Sequence, residues 1–392
     1  MTHSVIVSAA RTPVASFQGS LATVRSTDLG GIAIRAAVER AGIKPTQVEL
    51  CIMGCVLPAA LGQAPARQAM FSAGLPKEVS ALTVNKVCSS GLFAVMLADQ
   101  LIRLGDNNVV VAGGMESMTN SPYAMPNARG GYRLGDGKIV DTMVSDGLWD
   151  IYTNQHMGSC ADLCAKTNNV SRKDQDDFAI DSYKKAIAAT ENGYFKDEIV
   201  PVKIPQKKGD PIIVNRDEEP FRVKFEKIPA LSPSFNKDGT VTPANASSIN
   251  DGGAALVVMS EAKAKELGCK PMAKIIAHAT FSQEPEWFTT APVGAIKRAL
   301  EKAKLTVNDI DLFEINEAFS VVTLMAIKEF KIDPKKVNIN GGAVALGHPV
   351  GASGARILTT LLYSLKRTGK KRGLATLCNG GGEATAMIVE AI

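Results

Sequence analysis

Cys88, His348 and Cys378 each stand where the chain changes from strand-like to helix- or turn-like sequence. In Leu82–Met96 a β-branched run stops at Cys88, and small residues then open a nearly all-apolar helix. A thiol at a helix N-terminus feels the positive end of the macrodipole and unpaired backbone N–H groups, both of which favour thiolate. A cysteine is also an ordinary core residue, so Cys88 alone decides nothing. In Asn340–Arg356, Pro349 keeps His348 outside the helix and itself suits the first helical position. The imidazole therefore occupies the same kind of junction as Cys88. Gly351, Ala352, Gly354 and Ala355 leave that helix nearly bare, as close packing of a second helix requires. In Leu377–Glu383 a second cysteine leads three glycines, Gly380–Gly382, whose backbone N–H groups could hold an oxyanion. Glu314–Phe319 places two carboxylates and the amide of Asn316 where a strand meets a helix. A Cys/His pair at helix starts, with a second thiol beside an oxyanion turn, points to acyl transfer through a thioester. His348 would remove the Cys88 proton, leaving Cys378 free to act as a base near carbon.

The elements that must position these groups occur twice. Residues 33–44 (AIRAAVERAGIK) and 295–306 (AIKRALEKAKLT) are both amphipathic helices, each followed by an acidic-apolar strand, 48–53 and 310–315. The buried strand 109–117 parallels 374–384, at an offset of about 262–267 residues. That offset is too long for a solenoid and fits an internal duplication of a βα unit, with mainly parallel sheets covered by helices. The expected division is an N-terminal half 1–118, a loop domain 119–249 and a C-terminal half 250–392. The middle stretch is rich in turns and holds one clear helix, 171–192, opened by Ser171 with Asp174 three residues on. It reads either as a surface insertion or as a lid that grips a ligand.

Over 392 residues, 45% hydrophobic and 21% charged, the composition is that of a soluble globular chain. A net charge of +5 and 5% aromatics are too little for a nucleic-acid binder, yet suit a local pocket for an anionic small molecule. The richest apolar run, Gly91–Ala98, is closed by Asp99 and Gln100 and is short for a membrane span. The seven cysteines are odd in number and lack a secretory context, so they read as thiols of a cytoplasmic protein. His156, Cys160 and Cys164 recur at helical spacing and could align as zinc ligands, but no fourth ligand is evident and no metal is expected.

Four separated segments, KVCSSG, NEAF, GGAVALGHPVGASGAR and CNGGGEA, resemble the motifs of the thiolases in their order, and the resemblance runs over essentially the whole chain. Gln155-His156-Met157-Gly158 is similar to the acyl-binding loop of the short-chain biosynthetic type, and the intact Asn316–Phe319 argues against the sterol-carrier type. The resemblance implies an α/β fold of two duplicated halves stacked as αβαβα, with the inserted loop domain binding coenzyme A and making a homotetramer. It implies the acetyl-CoA C-acetyltransferase reaction, a reversible Claisen condensation of two acetyl-CoA to acetoacetyl-CoA and CoA through acetyl-Cys88. A broader 3-ketoacyl-CoA thiolase that accepts 2-methylacetoacetyl-CoA is the alternative. His348 then activates Cys88, and Cys378 takes the α-proton of the second acetyl-CoA. Asn316 and His348 serve one oxyanion site, and the N–H groups of Cys88 and Gly380 the other. Coenzyme A contacts fall on Leu148, His156, Met157, Tyr183, Arg222, Val223, Lys224, Lys227 and Ser247, with Phe288, Ala318 and Phe319 lining the acyl pocket. No cofactor is implied beyond a potassium ion near Tyr183, Ala244, Ala246 and Val344. A carrier of the same fold would lack one of Cys88, His348, Cys378 or Asn316. A ketoacyl synthase generally has His or Asn where this chain has Cys378.

Overall fold

The computed structural model describes residues 3–392. Strands β1 (Ser4–Arg11), β2 (Leu50–Gly54), β3 (Ser80–Val84) and β4 (Val109–Ser117) belong to the first half, with helices α1 (Ser26–Ala41) and α2 (Ser90–Leu104). Strand β5 (Asn250–Ser260) completes that half by running antiparallel between β1 and β4. Both β4 and β5 are buried along their whole length, which explains their runs of Val, Ala and Gly without polar alternation. The middle segment supplies α3 (Met157–Thr167) and α4 (Arg172–Glu191); Ser171 and Asp174 form the reciprocal cap that their spacing suggests.

The second half repeats the pattern with β6 (Ala273–Ser282), β7 (Leu312–Ile315), β8 (Arg372–Asn379) and β9 (Glu383–Ala391), and helices α5 (Ala291–Ala303), α6 (Ser320–Phe330) and α7 (Val350–Thr368). The sheet order is β7-β8-β9-β6-β1-β5-β4-β2-β3, so β6-β9-β8-β7 mirrors β1-β5-β4-β2. A lone parallel bridge from Phe313 to Val337 stands where β3 stands in the first half. The two sheets join edge to edge where Val5 and Ile6 of β1 face Lys274 and Ala273 of β6.

Two expectations change. The sheets are mixed: β2, β3 and β4 pair in parallel, as do β7 and β8, but the strands β5 and β9 run antiparallel to both neighbours. Residues 250–260, placed at the head of the C-terminal half on sequence, lie in the first sheet as β5. Periodicity identifies a buried strand but not which sheet receives it.

Helices α2 and α7 pack on each other and touch strands of both halves, α1 covers the outer face of the first half and α5 that of the second, giving five layers. The main core lies in this middle layer, where Leu92, Val95 and Ile102 of α2 meet Ile357, Leu358 and Leu361 of α7. Both reactive junctions open onto it.

Candidate active site

Strand β3 ends at Val84, and the chain turns sharply through Asn85-Lys86-Val87 before α2 begins. Val87 adopts φ +46°, a costly left-handed conformation for a β-branched residue. Local hydrogen bonds hold it: Asn85 Oδ1 accepts the Val87 N–H at 3.0 Å, and Ser90 Oγ accepts the Lys86 N–H at 2.8 Å while donating to the Val87 carbonyl at 2.6 Å. The turn presents Cys88 at the mouth of α2. The nearby backbone N–H groups of Gly380 and of Cys88 itself favour the thiolate, yet burial outweighs both and pushes the thiol up to about 12. The expected thiolate is therefore absent at rest, because desolvation of a buried anion exceeds what a helix terminus supplies.

His348 is held at the second junction by its backbone, whose N–H donates to Asn250 Oδ1 at 2.8 Å. Its Nδ1 lies 2.6 Å from Ser353 Oγ and 3.4 Å from Asn316 Nδ2, while Nε2 is buried without a partner. Burial, reinforced by the buried Arg356 guanidinium, lowers the imidazole to about 3, so the ring is neutral. Arg356 Nη2 reaches Asn316 Oδ1 at 3.5 Å, which turns the amide NH2 toward His348. Glu317, the neighbour of Asn316, accepts from Asn338, Ser182 and the Val344 N–H, tying this loop to the segment leading into His348.

Cys378 closes β8, fully buried beside Met157, Cys160, Phe288, Ala318 and Phe319. Burial pushes its thiol far up, and the nearby Cys88 adds to the effect. The chain then turns through Gly381 at φ +88° and Gly382 at φ +78°; a Cβ on Gly382 would meet the Gln283 carbonyl at 2.3 Å. Side chains stitch this turn to the Cys88 elbow. Lys86 pairs with Glu383, Ser89 Oγ donates to Asn379 Oδ1 at 2.7 Å, and Thr385 Oγ1 donates to Ser89 Oγ at 3.1 Å.

A cleft of about 230 Å³ brings together Cys88, His348, Leu148, His156, Met157, Ala246, Ser247, Ala318 and Phe319. Sequence reasoning missed Phe235, Met118 and Ile249 on its walls. Phe235 stacks on the His156 ring at 4.5 Å, a contact between distant segments that no local pattern announces. His156 caps α3, its Nδ1 accepting the Gly158 N–H at 3.1 Å. Among the described residues no three His, Cys, Asp or Glu groups converge as metal ligands. Phe288 does not line this cleft. It faces an adjoining cavity with Val87, Met157, Gly380 and Gly381, its ring 6.2 Å from that of Phe319. Tyr183, Arg222, Val223, Lys224 and Lys227 also lie outside the cleft walls. Tyr183 is buried with Val344, with Val223 packed against that cluster, while Arg222, Lys224 and Lys227 expose their charges.

A buried thiol and a neutral imidazole with a free nitrogen share one cleft, with a second thiol close by, an arrangement whose chemistry suits acyl transfer. The profile described as the thiolase N-terminal domain matches residues 4–262, and that of the thiolase C-terminal domain matches residues 269–391. The chain belongs to the thiolase family. It is 54% identical over 391 residues to an acetyl-CoA acetyltransferase of Cupriavidus necator, with all of both chains covered. It is 50% identical to one from Pseudomonas aeruginosa, covering 99% of each. Among solved structures, the Bacillus anthracis acetyl-CoA acetyltransferase superposes with a TM-score of 0.98 at 41% identity, covering 100% of this chain and 99% of that one. An Ascaris suum thiolase in complex with coenzyme A gives 0.95 at 44% identity, with both chains covered fully.

Proposed function

We propose that the protein is an acetyl-CoA C-acetyltransferase that condenses two acetyl-CoA molecules reversibly to acetoacetyl-CoA and CoA. The observation that carries this is the single cleft that Cys88 and His348 line together, with Cys378 close enough for each thiol to feel the other's charge. In the first half-reaction Cys88 attacks the acetyl carbonyl and its proton passes to His348, while Cys378 gives its own proton to the departing CoA sulfur and is left as thiolate. The N–H groups of Cys88 and Gly380 hold the tetrahedral oxyanion; losing one such donor typically costs about 3–4 kcal/mol in barrier. In the second, Cys378 removes the α-proton of a new acetyl-CoA, and Asn316 with His348 steadies the enolate oxygen. The enolate carbon then attacks acetyl-Cys88, and the departing Cys88 sulfur takes its proton back from His348. Arg222, Lys224 and Lys227, exposed near the loop domain, would meet the phosphates of coenzyme A.

Incubation with acetyl-CoA should add one acetyl group to the intact mass, mapped to Cys88, and should yield acetoacetyl-CoA. Cys88→Ser should carry no adduct, and an acetylated Cys88→Ser protein defeats the assignment. The 2-methyl alternative is read from Phe288→Met: a changed preference between acetoacetyl-CoA and its 2-methyl homologue places the adjoining cavity in acyl selection, and an unchanged ratio removes it.

Tyr123, Met125, Leu134, Ile139 and Ile151 leave large apolar side chains exposed in the loop domain. Such side chains would be covered if subunits met there, which supports a homotetramer, and light scattering tests it. Seven free thiols support a cytoplasmic setting. For potassium, the carboxylates of Glu219 and Glu317 both act on Tyr183, a negative field that suits a cation. Backbone carbonyls near Tyr183, Ala244, Ala246 and Val344 would hold it, and it would supply charge neutralisation only. Thiolysis rates in potassium against sodium test this.

A further inference from the structure

The two nitrogens of His348 meet different surroundings. Nε2 has no partner, and the ring lines the cleft beside Cys88. Nδ1 faces Ser353, a fully buried residue in the first turn of α7, at 2.6 Å from its hydroxyl oxygen. That oxygen also lies 2.9 Å from the Pro349 carbonyl. A neutral imidazole has one ring proton and a hydroxyl has one, so the alternatives are few. If Ser353 donates to Pro349, its oxygen accepts from Nδ1–H, and the lone pair on Nε2 points into the cleft. If Ser353 donates to Nδ1, Nε2 carries the proton and cannot receive another from Cys88. Asn316 Nδ2, at 3.4 Å from Nδ1, is too distant to compete with the shorter contact.

We propose that Ser353 is a positioning residue that completes a Cys88–His348–Ser353 triad, fixing the tautomer of His348 with its proton on Nδ1. This rests on the acyl-transfer reading above. As Cys88 attacks, a sulfur–carbon bond forms, and the thiol proton moves to Nε2. As the bond to the CoA sulfur breaks, that sulfur takes its proton from Cys378, and Nε2 keeps the Cys88 proton until the Cys88 sulfur leaves in the second half-reaction. The Nδ1 proton stays in its bond to Ser353 throughout, so the ring begins and ends neutral. A hydroxyl thus takes the orienting place that a carboxylate holds in other triads.

Ring-15N-histidine labelling of the full-length protein tests the assignment, with His348→Asn identifying the His348 signals among the four histidines. Wild-type His348 should show a protonated Nδ1 and an unprotonated Nε2 between about pH 6 and 9. Ser353→Ala should shift the ring toward the Nε2–H form. Single-turnover acetylation of Cys88 should fall about 10- to 100-fold, within the ~10²–10⁴ a general base supplies. The KM for acetyl-CoA should stay within about twofold, since Ser353 touches no substrate. Ser353→Thr, which keeps the hydroxyl, should recover most of the rate. A wild-type ring protonated on Nε2, or Ser353→Ala acetylating at the wild-type rate, overturns the proposal. If Ser353→Ala fails to fold, the wild-type spectrum still decides. A wild-type protein with the expected tautomer but no acetylation would defeat the acyl-transfer reading and not the tautomer assignment.

Discussion

How Cys88 loses its proton can be worked from the two sites. Burial holds the thiol near about 12 and the imidazole near about 3. Moving the proton between them before any bond forms costs about 12 kcal/mol at ~1.36 kcal/mol per pH unit. A thiolate–imidazolium pair at ~4 Å and an effective dielectric of ~20 returns about 4 kcal/mol. The net of about 8 kcal/mol leaves roughly one molecule in 10⁶ as an ion pair. Turnover near ~10 s⁻¹ corresponds to a barrier of about 16 kcal/mol, so a preformed pair would consume half of it before carbon is touched. The proton therefore leaves as the sulfur–carbon bond forms, when the negative charge is already passing to the oxygen held by Cys88 and Gly380. The assay is the rate of Cys88 alkylation by iodoacetamide, a reagent that needs thiolate, followed by intact mass across pH. Alkylation should climb about tenfold per unit to at least pH ~9 without a plateau. His348→Asn should slow acetylation by acetyl-CoA about 10²–10⁴-fold while leaving the alkaline limb of alkylation in place. A plateau with a midpoint near neutrality, lost in His348→Asn, would show a standing ion pair and refute the argument.

Cys378→Ala should still acquire the acetyl group from acetyl-CoA but fail to exchange α-protons with deuterated solvent, read by mass; normal exchange would remove Cys378 as the base. The Lys86–Glu383 pair, with Glu383 also bound by Ser282 Oγ at 3.0 Å, ties the Cys88 elbow to the Gly380 turn. Lys86→Glu or Glu383→Lys alone should lower kcat with KM little changed, by about fivefold for a half-exposed pair, and the double exchange should restore it; a double variant no better than either single one denies the coupling. Glu314 is buried, and its carboxyl is raised to about 8 despite Arg356. Its folded value stands above the unfolded one, so its contribution is complete below pH ~4.5 and is lost as pH rises toward about 8. Glu314→Gln should flatten that fall in the urea midpoint between about pH 5 and 9, and an unchanged slope rejects Glu314 as its source.

The reactive junctions were legible because each combines a rare residue with a local breaker: Cys88 before small helix starters, His348 between Gly347 and Pro349, and Cys378 before three glycines. The duplicated helices and strands were legible for the same local reason, since period and burial repeat together. Other features depend on tertiary placement. The thiolate expected at Cys88 fails because a helix terminus is visible in sequence and desolvation is not. Phe235 meets His156 only through the packing of a loop on α3. Phe288 lies behind Met157 and not beside Cys88, a difference of one side-chain layer that sequence spacing does not resolve. Ser353 read as one small residue in a bare helix, and only the return of its side chain over the helix start gives the hydroxyl a partner.

The duplication also explains why a thiol and an imidazole meet. Cys88 precedes α2 and His348 precedes α7, equivalent positions in the two halves, so apposing these helices brings two helix starts together. Apposition this close needs the absence of side chains. A Cβ on Gly354 would stand 2.3 Å from the Leu92 nitrogen, one on Gly91 2.8 Å from that of Ala355, and one on Gly114 2.0 Å from the Gly351 carbonyl. Each helix start aims a positive dipole end at the same space, where a thioester oxygen becomes an anion. The same field and the same burial keep His348 from holding a second proton at rest, so the ring can accept the Cys88 proton only as charge develops on the substrate. The glycines thus set the geometry, and that geometry favours the transition state over a resting ion pair.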